Sequence, residues 1–296
     1  MGKRYILTVL IAISAIVLIA GCIGEEMKTN QEKQKTITAF CGSASKPAME
    51  EAANVFEEKT GIKVELNFGG SGTMLSQMKL SKQGDLYIPG SPDYMLIAER
   101  DGVVYPETVK KIAYLVPAID VREGNPKNIQ SLDDLAKEGI EVGICAPESC
   151  CVGLYAVEIF EYNNMTEKVK PNIVTHAESC SKTAALIAKT AALIVMDQVD
   201  VVIGWRVFSE WTPDDTDVVY LRPEQVPRIA YIPAAISTYT EDRESAGRFT
   251  DFLVTEEGQR IFAKWGYIAT EEEAREYAPN AQIGGEYELP AIWKSQ

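Results

Sequence analysis

The spacing of apolar residues changes period repeatedly along this chain, and no other feature limits its fold as strongly. Thr36 to Phe40, Ile62 to Phe68 and Asp85 to Ile88 are apolar runs of strand length. Between them, Ala48, Ala52, Val55 and Phe56, and then Met74, Leu75 and Met78, share one face of a helix. The alternation continues with strands expected at 114–121, 141–145, 199–205, 218–221 and 229–238, and helices at 152–162, 181–196 and 243–265. Pro47 and Pro92 sit at first helical positions, and Gly61 ends the first helix. Val199 to Trp205 is very apolar, as a strand covered on both faces must be. Lys182-Thr-Ala-Ala-Leu-Ile-Ala recurs at once from Lys189, which reads as a packing stripe on the 181–196 helix. Strands and helices in alternation predict an α/β chain of open mixed sheets with helices on both faces.

Two strands resemble one another. Ala113 to Ile119 and Ile229 to Ala235 each carry a Tyr followed by a Pro within an apolar run. An antiparallel pair of this kind can carry the chain between two lobes and back. The expected division is 36–117 with 232–296 as one lobe and 118–231 as the other, inserted lobe. Two lobes joined by two strands make a hinged cleft.

The N-terminus belongs to neither lobe. Lys3 and Arg4 precede an almost entirely apolar stretch from Tyr5 to Ala20, followed by Gly21 and Cys22. A basic start, an apolar run and small residues at a cleavage point make a secretory signal, residues 1–21. Cysteine directly after Ala-Gly matches a lipobox, with Cys22 as the lipidated first residue of the mature chain. Residues 22–35 are mostly polar and charged and read as a flexible tether. The chain is therefore expected outside the cytoplasm, held to the outer face of the membrane by its lipid.

Acidic residues outnumber basic ones 43 to 29, for a formal net charge of −14. Nucleic-acid binding is excluded on that balance, because phosphate backbones call for clustered Lys and Arg. The single histidine, His176, rules out a multi-histidine metal site. There is no phosphate-loop Lys, no dinucleotide fingerprint and no nucleophile elbow. No catalysis and no cofactor are expected. An extracellular thiol-dependent redox protein is the competing class, but it lacks a Cys-x-x-Cys pair.

The chemistry lies in four strand-to-helix turns: Cys41 to Ser45, Gly69 to Thr73, Pro147 to Gly153 and Glu178 to Ser181. Each is small and polar and precedes a helix. Helix N-termini present unpaired N–H groups and attract anions, although Ser and Thr also cap helices everywhere. In open α/β sheets, ligands sit beyond the carboxyl ends of the strands.

Thr36 to Phe40, Ala48 through Met78 with its Gly69-Gly-Ser-Gly-Thr73 turn, Gly84-Asp-Leu-Tyr-Ile88, Pro147 to Ala156, Asp200 to Trp205 and Phe249 to Gly266 together resemble the molybdate/tungstate-binding proteins of ABC importers. The resemblance covers most of the mature chain. It implies the two-lobed periplasmic-binding-protein type II fold, and a receptor that closes on a tetrahedral oxyanion and hands it to a permease and its ATPase. It also implies a single copy of the chain. In that family the anion is held by serine hydroxyls, backbone N–H groups and an aromatic hydroxyl, without a counter-cation. Carried onto this chain, these contacts fall at Ser43 or Ser45, Ser71 with Gly72, Cys151 and Val152, Cys180, and Trp205. Trp205 stands where a Tyr is usual. An archaeal branch of the family adds metal-ligating carboxylates, but the matching places here are Cys150 and Gly204.

Cysteines are the departure from the family pattern. Cys41, Cys150, Cys151 and Cys180 all fall at or just before helix starts, where thiols are expected to ionise readily. A thiolate repels an oxyanion. Three readings remain open. The cysteines are disulfide-bonded, for example one of Cys150 or Cys151 with Cys180 or Cys41; the thiols stay protonated; or the cargo is thiophilic and is held by Cys41, Cys150, Cys151 and Cys180. Cys145 lies within a strand and reads as a core residue.

Overall fold

A computed structural model describes residues 34–187 and 199–294. The expected signal segment, Cys22, nearly all of the tether and the second half of the 181–196 helix lie outside the described residues. Lys35–Gln296 cluster as one compact unit.

Eleven strands fall into two mixed sheets among the described residues. The first contains β1 (Thr36–Gly42), β2 (Lys63–Gly69), β3 (Leu86–Ile88), β4 (Lys110–Leu115), β10 (Arg228–Ile236) and β11 (Gln282–Ile283). Its order is β11-β10-β3-β1-β2, with β4 also on β10. The second contains β5 (Pro117–Arg122), β6 (Val142–Cys145), β7 (Ile173–Ala177), β8 (Val201–Trp205) and β9 (Thr216–Val219), in the order β7-β6-β8-β5-β9. β1, β2 and β3 are parallel, as are β6, β7 and β8. The carboxyl ends of these parallel strands carry the four polar turns.

β4 and β10 form the antiparallel pair expected from their similarity, with Tyr114 opposite Tyr231 and Leu115 opposite Ala230. The 114–121 strand is not continuous. It breaks at Val116, and Pro117 opens β5 in the second sheet, where it pairs with Trp205 of β8. Proline's missing N–H costs least at the first position of a strand. The return crossing lies between β9 and β10, so a boundary at 231/232 falls inside β10.

Helices start and stop where local chemistry dictates. α1 (Lys46–Thr60) has Pro47 in its first turn and stops at Gly61, whose φ of 71° suits glycine. α2 (Ser71–Ser81), α3 (Pro92–Arg100), α4 (Cys151–Tyr162) and α5 (Cys180–Ala185) follow. The expected 243–265 helix is two, α6 (Arg243–Leu253) and α7 (Glu256–Lys264), because Thr255 accepts from the Gly258 N–H and caps a new start. α8 (Glu271–Tyr277) opens with a Thr270–Glu273 capping box.

The C-terminal segment packs against both halves. Ile268, Ala274, Ala278, Leu289 and Trp293 belong to the core that holds Ile119, Ile144 and Phe160 of the second half. Trp293 stacks on Phe160 and donates its ring N–H to Glu161 at 3.0 Å. Along the same segment, Glu286 pairs with Arg100 of α3, and the Tyr287 N–H donates to Asp93 at 2.9 Å. The tail therefore spans both halves.

Two buried polar features bear on stability. Arg228 of β10 is 3% exposed and bonds Asp93 of α3 at 3.0 Å and Glu158 of α4 at 2.6 Å. Its guanidinium also lies over the Tyr155 ring, 4.3 Å from the centroid. Asp120 of β5 is fully buried, and neither of its oxygens has a partner. Burial holds its carboxyl well above the usual range. Gly204, on the neighbouring strand, leaves the space that this carboxyl fills; a Cβ there would overlap Asp120 Oδ2. Asp85 and Asp200 are structural, accepting from the Thr38 and Glu141 N–H groups at 2.8 and 3.0 Å.

Arg228→Met strands two buried carboxylates and is expected to cost about 3–5 kcal/mol in urea unfolding. Asp120 titrates with the opposite sign to a salt-bridged carboxylate. Its folded form holds the proton more tightly, so its contribution is complete below about pH 4 and is lost as pH rises towards the raised folded value. Asp120→Asn removes that loss. Thermal melts are expected to show the variant gaining on the native chain as pH rises above about 4; parallel curves exclude the effect.

Candidate functional site

The four turns meet where the two halves touch. Gly69 and Gly70 let β2 run into α2 without side chains. A Cβ on Gly70 would lie 2.7 Å from the carbonyl oxygens of both Glu178 and Ser149. That close approach lets the Gly72 N–H donate to Ser149 O at 2.8 Å. Across the same junction, the Ser181 N–H at the start of α5 donates to Ser43 Oγ at 3.1 Å. Gly90, after β3, is equally tight: a Cβ there would lie 2.6 Å from Cys151 Sγ. Glycine at 70, 72 and 90 is thus what allows the halves to close.

Ser43 and Ser71 are both 1% exposed and both sit at the junction. Ser71 Oγ accepts from the Gly90 N–H at 3.0 Å and lies in hydrogen-bonding reach of Cys151. Ser45 does not join them; its hydroxyl donates back to Gly42 O within its own turn at 3.1 Å. Cys151 and Val152 open α4, and Cys180 opens α5, whose cap is Ser179. Trp205 ends β8, fully buried, packed edge-on against Tyr155 at 5.1 Å. Of the eight expected contact residues, seven are brought together and Ser45 is not.

Cysteine pairing differs from every pairing expected. Cys145 and Cys150 form a disulfide, with Cα atoms 5.9 Å apart. Cys145 ends β6 and Cys150 is the cap of α4, so a single tight turn brings them into bonding range. Cys41, Cys151 and Cys180 are free and buried. The four-cysteine soft-metal set therefore loses Cys150 to the disulfide. Among the described residues, no three His, Cys, Asp or Glu side chains are grouped to hold a metal ion.

Among the described thiols, only one is favoured as its anion. Burial pushes Cys41 and Cys151 well above the ordinary thiol range; Cys151 is raised further by its hydrogen bond to Cys180. Burial also opposes ionisation of Cys180, but it is outweighed there. The Cys151 thiol lies 3.5 Å away, and its hydrogen bond with Cys180 favours the Cys180 anion. The Val152 N–H, the Trp205 ring N–H and the N–H of Cys180 itself add to that. The net shift is downward, as expected for a thiol at a helix start surrounded by donors. Trp205 Nε1 completes no regular hydrogen bond, and neither does the buried Tyr155 hydroxyl.

Sequence reasoning missed Tyr155. It lies four residues after Cys151 on α4, hence on the same helical face. That spacing was the available signal. Ser149 and Gly90 act through their backbone, for which a sequence carries no side-chain signal.

Thiolate absorbance followed against pH is expected to show one early step. Cys180→Ser should abolish it, and Cys151→Ala should move it to higher pH by removing a donor. An early step that survives Cys180→Ser assigns the thiolate elsewhere.

Residues 37–268 match the family described as bacterial extracellular solute-binding protein. The putative ABC transporter substrate-binding lipoprotein YvgL of Bacillus subtilis is 24% identical over 279 residues, covering 91% of this chain and 100% of that protein. The molybdate-binding protein ModA of Rhodobacter capsulatus is 26% identical over 240 residues, covering 79% and 88%. The solved structure of the sulfate-binding protein SubI from Mycobacterium tuberculosis matches with a TM-score of 0.67 at 20% identity, over 84% of this chain and 94% of that one. This last likeness carries the two-lobed fold. The family match begins in β1, crosses both sheets and ends beyond α7, so the chain belongs to the bacterial extracellular solute-binding proteins.

Proposed function

We propose that this chain is the receptor of an ABC importer for a small tetrahedral oxyanion, with molybdate or tungstate as the first candidates. The observation that carries the reading is the donor set at the junction. Ser43 and Ser71 come from one half; the Val152 and Cys180 N–H groups and Trp205 Nε1 come from the other. All are neutral donors in a buried place. Hydrogen bonds from neutral groups to a charged partner stabilise by about 1.5–3 kcal/mol each, and several together hold an anion without a counter-cation. A chain of net charge −14 gains nothing from long-range steering of an anion, so affinity rests on this short-range set. Similarity to a molybdate-binding protein supports the same ligand class. In this reading a permease and its ATPase take the cargo. Cys22 carries the lipid that keeps the receptor at the membrane, and the protein performs no catalysis.

Calorimetry on residues 23–296, reduced and oxidised in parallel, tests it. Tungstate or molybdate is expected to give saturable one-to-one heat, sulfate less. Ser71→Ala should weaken binding by about tenfold or more through loss of one charge-assisted hydrogen bond. No heat from either metal oxyanion, in either redox state, overturns the ligand assignment.

A further inference from the structure

Four sulfur atoms form a contact chain behind the junction. Cys145 and Cys150 are bonded. Cys150 Sγ lies 3.7 Å from Cys180 Sγ, which lies 3.5 Å from Cys151 Sγ. All four residues are at most 1% exposed. Disulfides rearrange when a thiolate touches and attacks a disulfide sulfur. Here the sulfur nearest the disulfide belongs to the one thiol that the surrounding donors favour as its anion, and Cys151 is placed to donate to it.

We propose that Cys145, Cys150 and Cys180 form an internal thiol–disulfide exchange site, in which the bridge moves between Cys145–Cys150 and Cys150–Cys180. Cys180 Sγ forms a bond to Cys150 Sγ as the Cys145–Cys150 bond breaks. The electron pair leaves on Cys145 Sγ, and the proton released when Cys180 ionises ends there. One disulfide and one thiol exist before and after, so the step needs no oxidant or reductant. The charge is thereby removed from the junction and replaced by a neutral thiol at the end of β6, where burial favours the uncharged form. The exchange rests on the sulfur positions and on Cys180 as the attacking thiolate, independently of any ligand. Its consequence, that Val152, Cys180 N–H and Trp205 become free to donate to an anion, rests on the oxyanion reading.

Disulfide mapping by mass spectrometry tests the exchange without any ligand. The purified full chain is held at mildly alkaline pH without reductant, quenched in acid, alkylated and digested. Both the Cys145–Cys150 and the Cys150–Cys180 links are expected. Because Cys150 and Cys151 are adjacent in sequence, the mapping is repeated in Cys151→Ser, where the second link should persist; in Cys180→Ser it should be lost completely. Cys145→Ser, exposed to oxidised glutathione, should acquire a Cys150–Cys180 link. Cys145–Cys150 as the sole link in both the native chain and Cys151→Ser overturns the proposal, whatever the variants do. Calorimetry with tungstate fails or succeeds separately, so a protein that exchanges but binds no oxyanion identifies the ligand reading as the error.

Discussion

Arg228 places one positive charge between carboxylates from two different parts of the molecule. Asp93 starts a helix on the first sheet, and Glu158 lies on a helix of the second. Removing three charged groups from water is expensive, and the expense is offset only while all three stay together. Apolar burial would hold the halves in many relative positions, whereas this cluster suits one. Tyr155 extends the arrangement: its ring packs on both the Arg228 guanidinium and the Trp205 indole, linking the ion cluster to the donors of the junction. Exposed ion pairs such as Lys63–Glu65 and Arg243–Glu107 contribute little by comparison.

Neutral donors and sulfur share the junction, and they favour opposite contents. Hydroxyls and N–H groups from both halves suit an anion. Cys180, placed among them, becomes the anion that they stabilise. Seen this way, the unusual Trp205 is intelligible: an indole donates and never accepts, so it supports a thiolate or an oxyanion alike and competes with neither. The thiols at 41 and 151 remain neutral because no comparable set of donors surrounds them.

Much of this was legible in the sequence, for identifiable reasons. Period changes set the strands and helices, and the Tyr-Pro likeness of the two crossing strands located the β4–β10 pair. The Gly69-Gly70-Ser71-Gly72 turn stood out because small residues before a helix have a local meaning. Its tertiary meaning, the approach of Ser149 and Glu178 carbonyls, depends on residues far along the chain and had no sequence signal. Pro117, expected at an edge or crossover position, opens β5 where the chain changes sheet. Thr255 was absorbed into a long apolar stripe, although a Thr with Gly258 three residues later is a cap. Cys145 is core, as its strand neighbours imply, but nothing in the sequence marks it as bonded. The partner that captures it, Cys150, lies across a turn whose shape five intervening peptide units do not disclose. The tail is expected with the first lobe from its place in the sequence, and the contact of Trp293 with Phe160 of the second half has no sequence signal.

That tail has a consequence for how the molecule is made. Ile268, Ala274, Leu289 and Trp293 complete a core that also holds Ile119, Ile144 and Phe160, residues more than a hundred positions earlier in the chain. Until these late residues arrive, the second half has an open apolar face and cannot reach its final stability. That open face is an apolar surface facing water, and the docking of Trp293 on Phe160 is part of what covers it.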